Sequence, residues 1–134
     1  MGASALLSEP VADRYAAGMA SRELLGVRAL RDQLGRQVTK AQGDDAVHTV
    51  VLVEGHKRGV LVPLPWRHKA GAALGEPLVL TQVPLIAVSE LRKQLGQQIG
   101  KHIIAGRHGG PAAVLVPWDW YVRASTELGE QVAL

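Results

Sequence analysis

The side chains best suited to acid-base or metal chemistry in this chain are its five histidines, and their spacing supports neither role. They show no HxxxH or HExxH pattern, and no paired carboxylates accompany them to complete a metal site. The absence of cysteine excludes disulfides, thiolate metal sites and a cysteine nucleophile. The serine and threonine hydroxyls have no evident base partner. We therefore expect no enzyme, no metal site and no cofactor.

One glycine-rich segment, GRHGG at residues 106–110, superficially resembles a loop that cradles phosphate. It lacks both the GxxxxGK[ST] pattern and a GxGxxG sequence before a long helix. We interpret it as the turn of a β-hairpin.

The chemistry that the residue types favour is binding to a polyanion. The net charge is only +3, but the basic side chains are concentrated in two parts of the chain. Residues 28–69 carry eight basic and four acidic side chains, and residues 86–123 carry five basic and two acidic ones. The remaining residues are acidic on balance. A basic body with acidic flanks is typical of a protein that neutralises nucleic-acid phosphates.

These two basic parts contain copies of one helical sequence. The segment VRALRDQLGRQV at residues 27–38 returns as VSELRKQLGQQI at residues 88–99. Leu30 then corresponds to Leu91, at an offset of 91 − 30 = 61 positions. The same register aligns an arginine of each copy, one position after the leucine.

A second match follows each helical copy. GVLVPLPW at residues 59–66 returns as AVLVPWDW at residues 113–120, and the prolines Pro63 and Pro117 are 117 − 63 = 54 positions apart. The first copy is therefore longer than the second by 61 − 54 = 7 residues between helix and strands. A duplicated unit of this size predicts two half-domains related by an approximate two-fold axis.

Each copy has the pattern of strand, helix, hairpin and helix. Ser89 stands where the N-cap of the second long helix is expected, after a strand at residues 84–88. In the first copy, EGHKR is expected to turn between strands 49–53 and 59–64, and a proline ends each return strand and begins a short helix. The core stripes of the two long helices are Leu30, Leu34, Val38 and Ala41, and Leu91, Leu95, Ile99 and His102.

These patterns divide the chain into five segments. An extra strand is expected at residues 78–81, within the linker. The apolar stretches are far shorter than the about 20 residues that span a bilayer, so we expect a cytoplasmic protein without membrane contact. The segments are an N-terminal helical extension at residues 1–24, a first repeat at 25–69, a linker at 70–84, a second repeat at 85–124 and a short tail at 125–134.

SELRKQLGQQI followed by a hairpin ending in AVLVPWDWY resembles the N-terminal DNA-binding and dimerisation domain of the prevent-host-death (Phd/YefM) type II antitoxins. The second copy, at residues 86–121, matches most of the family pattern, and the first, at residues 25–66, matches its core. The resemblance implies an α+β fold in which two Phd/YefM-like repeats form an internal pseudo-dimer around a shared sheet. It also implies a bacterial transcriptional regulator of the toxin-antitoxin class, with operator DNA and a toxin or other protein as partners.

In that family the arginine of SELR and basic residues in the hairpin turn approach DNA. The resemblance therefore implies this role for Arg92 and Arg107, and for Arg31 in the first copy. Lys57 and Arg58 could replace Arg107 in the first copy if its turn is reshaped. The full set of candidate DNA-binding residues is Arg28, Arg31, Lys57, Arg58, Ser89, Arg92, Lys93 and Arg107.

Several features favour an alternative, a protein-interaction module that keeps the fold without binding DNA. The first copy has Arg28 where the second has Ser89, and residues 122–134 are short for the toxin-binding tail of the family. Trp118 and Trp120 either cover the sheet or anchor a protein interface, and their exposure would separate these roles. The repeats could pair within one chain, as a pseudo-dimeric monomer, or between the chains of a homodimer.

Overall fold

A computed structural model describes residues 21–130 and 132 and shows a mixed α+β fold, as the sequence predicts. The described residues form six strands in one sheet and five helices. Along the chain the elements are β1 (Arg22–Gly26), α1 (Val27–Gln42), β2 (His48–Val53), β3 (His56–Pro63), α2 (Leu64–Leu74), β4 (Leu85–Ala87), α3 (Val88–Lys93), α4 (Leu95–Gln98), β5 (Ile103–Arg107), β6 (Gly110–Pro117) and α5 (Trp118–Glu127).

The two halves of the sheet have the same arrangement, because in each half the three strands follow one another in chain order from the outer edge to the centre. The strand order is β1-β2-β3-β6-β5-β4, with parallel pairs at both edges and antiparallel pairs between them. At the centre, β3 pairs with β6 so that Leu61 lies opposite Leu115. Because this central pair is antiparallel, the β2–β3 hairpin and the β5–β6 hairpin turn at opposite ends of the sheet.

Helices cover both faces of the sheet. Leu30 and Leu34 of α1 pack with Leu91 and Leu95 on one face, which we call the long-helix layer (α1, α3 and α4). The opposite face carries Trp66 and Trp120 among small aliphatic residues, and we call it the tryptophan layer (α2 and α5). Since both faces are covered, the inner strands contain continuous apolar runs, such as residues 50–53 of β2 and 112–116 of β6, rather than alternating apolar and polar residues.

The predicted core stripe of the first long helix is confirmed, and that of the second is interrupted. The stripe of α1 is buried throughout. In the second copy the helix breaks at Gln94 (φ −124°, ψ 21°) and ends at Gln98, so His102 lies outside it. The first copy bends at the matching place, Gln33 (φ −117°, ψ 16°), without ending.

The predicted N-terminal helix is wrong over its described part. Residues 22–24 belong to β1, which pairs in parallel with β2, and the His48 amide donates to the Ser21 carbonyl at 2.8 Å. Pairing with a distant strand therefore overrides the local helical preference of this segment. The rest of the predicted helix, at residues 1–20, lies outside the described residues.

Three further predictions are corrected. Ser89 is not an N-cap, because Ala87 holds that position and no side chain caps the helix. The extra strand at residues 78–81 is absent, and Leu78 instead packs into the tryptophan layer. The linker does not begin at residue 70, because α2 continues to Leu74.

The turn of the first hairpin is tighter than predicted. It consists of Glu54 and Gly55, both with positive φ (52° and 80°), so His56, Lys57 and Arg58 lie in β3. His108 and Gly109 form the second turn, again with positive φ (56° and 79°). Two residues with positive φ fit the type I′ turn, whose twist matches that of the flanking strands.

Shortening the side chain of Leu61, at the centre of the sheet, tests this core. Leu61 is 1% exposed, whereas Leu80 is 50% exposed. We expect Leu61→Ala to lower the free energy of unfolding by about 3 kcal/mol, because it removes a packed side chain and leaves a cavity. The control Leu80→Ala is expected to change it by less than about 0.5 kcal/mol. Urea denaturation measures both, and equal losses would contradict the central position of Leu61.

Candidate functional site

The structure separates the candidate DNA-binding residues into two groups at opposite ends of the sheet. Because Gly26 pairs with Leu52 beside the first turn, the start of α1 lies near the β2–β3 hairpin. Ala87 pairs with Gly106 in the same way, so α3 begins near the β5–β6 hairpin. The first group is Arg28, Arg31, Lys57 and Arg58, and the second is Ser89, Arg92, Lys93 and Arg107.

Arg31 on α1 and Arg92 on α3 are the candidates best placed to reach a ligand. Both side chains are exposed, and neither forms a hydrogen bond or an ion pair with another described residue. Arg28 is also exposed, one turn earlier on α1. Three exposed guanidinium groups thus lie in the long-helix layer, and groups of this kind form strong hydrogen bonds with phosphate oxygens.

Two other members of the second group, Ser89 and Lys93, are less well placed to bind a ligand. Ser89 is exposed at the second position of α3, where its hydroxyl caps nothing. Lys93 forms an ion pair with Glu90 at 3.0 Å, and both side chains are largely exposed. Such a surface pair is weak, so Lys93 remains available to a polyanion.

Arg107 has a different role from the one expected. It is the last residue of β5 rather than part of the turn. Its guanidinium donates to the Gly35 carbonyl at 2.6 Å, to the Thr39 hydroxyl at 2.8 Å and to the Gln42 amide oxygen at 3.4 Å. These acceptors lie along α1, so Arg107 fastens the second hairpin to the long helix of the first half. In this arrangement those donors are not available to DNA.

Lys57 and Arg58 line a surface cavity beside the start of α5. The Lys57 ammonium lies 5.3 Å from the centre of the Trp118 ring, a cation-π contact. The cavity has a volume of about 440 Å³ and also contacts Gly100 and Asp119. We call it the charged cavity. Arg58 is exposed, whereas Lys57 is half-buried.

Trp120 cannot anchor a protein interface in this structure, because it is only 4% exposed. Its indole N–H donates to a Glu76 carboxylate oxygen at 3.0 Å. Trp118 is half-buried and stacks on Tyr121, with ring centres 5.7 Å apart. The prediction that the tryptophans cover the sheet is therefore confirmed for Trp120.

Two tryptophan-carboxylate contacts cross between the halves of the chain. Trp66 of α2 donates to Glu130 at 3.1 Å, and Trp120 of α5 donates to Glu76 at 3.0 Å. A cation follows each tryptophan by three residues and approaches the same carboxylate, Lys69 to Glu130 at 3.6 Å and Arg123 to Glu76 at 3.3 Å. The hydrogen bond from Trp120, with help from Arg123, lowers the pKa of Glu76.

Sequence reasoning missed these two carboxylates although a signal was present. The triplet LGE occurs at residues 74–76 and again at residues 128–130, with the same offset of 54 as the prolines. In both triplets the glycine has positive φ, 70° at Gly75 and 75° at Gly129. The sequence match between the two copies thus extends beyond the predicted boundaries at residues 69 and 124.

A buried polar cluster joins β1 to α5. Arg22 donates to the Tyr121 hydroxyl at 2.8 Å, and that hydroxyl lies 2.8 Å from Nδ1 of His48. Arg22 can only donate, so the Tyr121 oxygen accepts from it, and the imidazole tautomer decides whether Tyr121 or His48 donates in the second hydrogen bond. Burial, with the positive charge of Arg22, lowers the pKa of His48 to about 3. Burial also raises the pKa of Tyr121.

No group of three or more metal-ligating side chains is assembled within the described part of the chain. None of the described helices is both long and apolar enough to cross a membrane. The chain matches no family model, and no curated protein and no solved structure is significantly similar to it. The resemblance to the prevent-host-death antitoxins therefore remains a prediction that rests on the residues themselves.

Protonation of His48 should destabilise the fold. The folded-state pKa of about 3 lies below the ordinary value of 6.5, so the unfolded chain takes up the proton first as the pH falls. The stability that the fold keeps while His48 is neutral is fully present above pH 6.5, and it is lost as the pH falls toward 3. Between pH 7 and pH 4 we expect the wild type to lose about 3 kcal/mol more unfolding free energy than His48→Gln.

Urea denaturation across the pH range measures this difference. The control His56→Gln changes an exposed histidine and should follow the wild-type profile. Parallel profiles for wild type and His48→Gln would contradict a neutral, buried His48.

Proposed function

We propose that the chain is an antitoxin-like, DNA-binding transcriptional regulator of the toxin-antitoxin class. In this proposal two Phd/YefM-like repeats form an internal pseudo-dimer that docks on a palindromic operator in the bacterial cytoplasm. The observation that carries the proposal is the matched pair Arg31 and Arg92, which are equivalent by sequence, exposed, and without a hydrogen bond or ion pair to any other described residue.

The pairing of the strands supports a two-fold relation between the halves. In the central pair, Gly59 lies opposite Pro117 and Pro63 lies opposite Ala113. With an offset of 54, these two pairs exchange places when the halves are exchanged, and the Leu61–Leu115 pair maps onto itself. An axis through that central pair would therefore relate β3 to β6.

Local irregularities occur at equivalent positions as well. The register of the first hairpin shifts between Val51 and Leu52, and that of the second shifts between Ala105 and Gly106, again 54 positions later. The bend at Gln33 and the break at Gln94 are 61 positions apart. Because irregularities of this kind arise from local backbone geometry, their repetition supports two copies of one unit.

A pseudo-dimer of this kind would present Arg31 and Arg92 symmetrically in the long-helix layer. Symmetric arginines suit an operator whose half-sites are themselves related by a two-fold axis. Arginine can bridge phosphate oxygens or bind the edge of guanine with two hydrogen bonds. The two hairpins do not carry matching basic side chains, because Lys57 and Arg58 of the first correspond to Pro111 and Ala112 of the second.

A second function, a protein-interaction module with the same fold, is favoured by the sheet edges. Leu24 on β1 and Leu85 on β4 are 46% and 48% exposed. They occupy equivalent positions on the two outer strands, whose outer edges pair with no other strand of the described sheet. An exposed edge with an apolar side chain can accept a strand from a partner, such as a toxin.

Binding to the DNA upstream of the protein's own gene tests the regulator. Over a salt series, we expect Arg31→Ala with Arg92→Ala to weaken binding and to lower the slope of log affinity against log salt by about two, one for each lost phosphate contact. Fluorescence anisotropy with labelled duplexes measures both quantities.

The matched control is Lys69→Ala with Arg123→Ala. It removes the same charge from the tryptophan layer, where the two side chains are 60% and 58% exposed. The control is expected to keep most of the wild-type slope. Binding no tighter than to random DNA would contradict operator recognition and would favour the interaction module.

A further inference from the structure

A cavity larger than the charged cavity lies mainly against the first half of the chain and plays no part in the proposed contact with DNA. It has a volume of about 630 Å³ and lies where the end of α1 faces the start of α2. Trp66 and Leu64 form part of its wall, and Pro111 and Ala112 of β6 form another part. We call it the apolar cavity. A volume of this size is typical of sites for small molecules.

The charged cavity occupies the equivalent position in the second half. With the offset of 54, Leu64 corresponds to Trp118 and Pro65 corresponds to Asp119, and all four residues line cavities. The same offset relates the wall residues Pro111 and Ala112 to Lys57 and Arg58. One position in the fold thus carries two cavities whose side chains differ in charge and size.

The longer connection in the first copy contributes to this difference. Ala41, Gly43 and Ala46 line the apolar cavity, and they lie in the segment that the second copy shortens. Small side chains at the end of α1 leave room there. In the second half, Trp118 stands in place of Leu64 and the volume falls to about 440 Å³.

The polar groups at the apolar cavity favour a ligand without charge. Lys69 and Glu130 both line it, and their opposite charges lie 3.6 Å apart. His48, the other titratable group on the wall, is 2% exposed and hydrogen-bonded to Tyr121 in its neutral form. The wall therefore has no net charge to attract an ion, while its proline, leucine and tryptophan surfaces gain from excluding water.

We propose that the apolar cavity is a binding site for an uncharged, largely apolar small molecule, and that the charged cavity is its counterpart without this function. The proposal does not rest on DNA binding. Leu64, Pro65 and Pro111, which are exposed or half-buried, provide apolar surface for the ligand, and the Lys69–Glu130 pair can orient a single polar group through hydrogen bonds.

The test uses the uncharged fluorescent probe N-phenyl-1-naphthylamine with the full chain. We expect saturable binding of one probe per chain, and weaker binding of the anionic probe 8-anilinonaphthalene-1-sulfonate. Leu64→Trp places in the apolar cavity the residue that the second half carries there, and it should weaken probe binding at least tenfold. Asp119→Ala changes the equivalent wall of the charged cavity and should leave the affinity within twofold of wild type.

A second variant keeps the proposal testable if Leu64→Trp does not fold. Pro65→Asp changes an exposed position and introduces the charge found in the charged cavity, so it should weaken binding at least threefold. Circular dichroism and the thermal midpoint establish that each variant is folded. Absence of saturable binding to wild type, or wild-type affinity in a folded Leu64→Trp or Pro65→Asp, would overturn the site. Tighter binding of the sulfonate would overturn its preference for an uncharged ligand.

Discussion

The antiparallel pairing of β3 with β6 holds the two halves of the described sheet together. It joins two three-stranded units, and without it both strands would present unpaired edges next to apolar side chains. Leu61 and Leu115 meet at its centre, and both are 1% exposed. The clusters on the two faces each include residues of β3 and of β6, so neither core is complete in one half.

The tryptophan layer adds a second connection between the two halves of the chain that β3 and β6 join. Each of its helices supplies an indole N–H to a carboxylate that follows the other helix, and a cation from the indole's own helix approaches that carboxylate. Hydrogen bonds to a charged acceptor are stronger than those between neutral groups, and these indoles are largely removed from water. The crossed contacts thus favour one relative position of the halves.

Much of the core could be predicted from the sequence, because it follows from short-range periodicity. The spacing of Leu30 and Leu34 and the β-branched runs after them identified a helix and a hairpin in the first copy. The matching pattern in the second copy identified its hairpin, although its helix breaks at Gln94. β1 could not be predicted in this way, because its conformation depends on pairing with β2. Ser89 failed as a cap for a similar reason, since the chain enters α3 directly from β4 at Ala87.

The candidate site was less predictable than the core. The exposure of Arg31 and Arg92 followed from the helical stripe, but the engagement of Arg107 with α1 requires the two halves to be packed together. The crossed carboxylates Glu76 and Glu130 were visible as a repeated LGE triplet, although their partners were not. In the proposed pseudo-dimer the halves share a buried frame and differ at the cavities, where residues are free to diverge.

Isotope-filtered NMR can detect whether β3 pairs with β6 inside one chain. A sample that mixes labelled and unlabelled chains distinguishes contacts within a chain from contacts between chains. We expect cross-strand nuclear Overhauser effects between Leu61 and Leu115 in the intramolecular spectrum alone. Their appearance only between chains would mean that the repeats exchange partners in a homodimer, and their absence from both spectra would contradict the central strand pair.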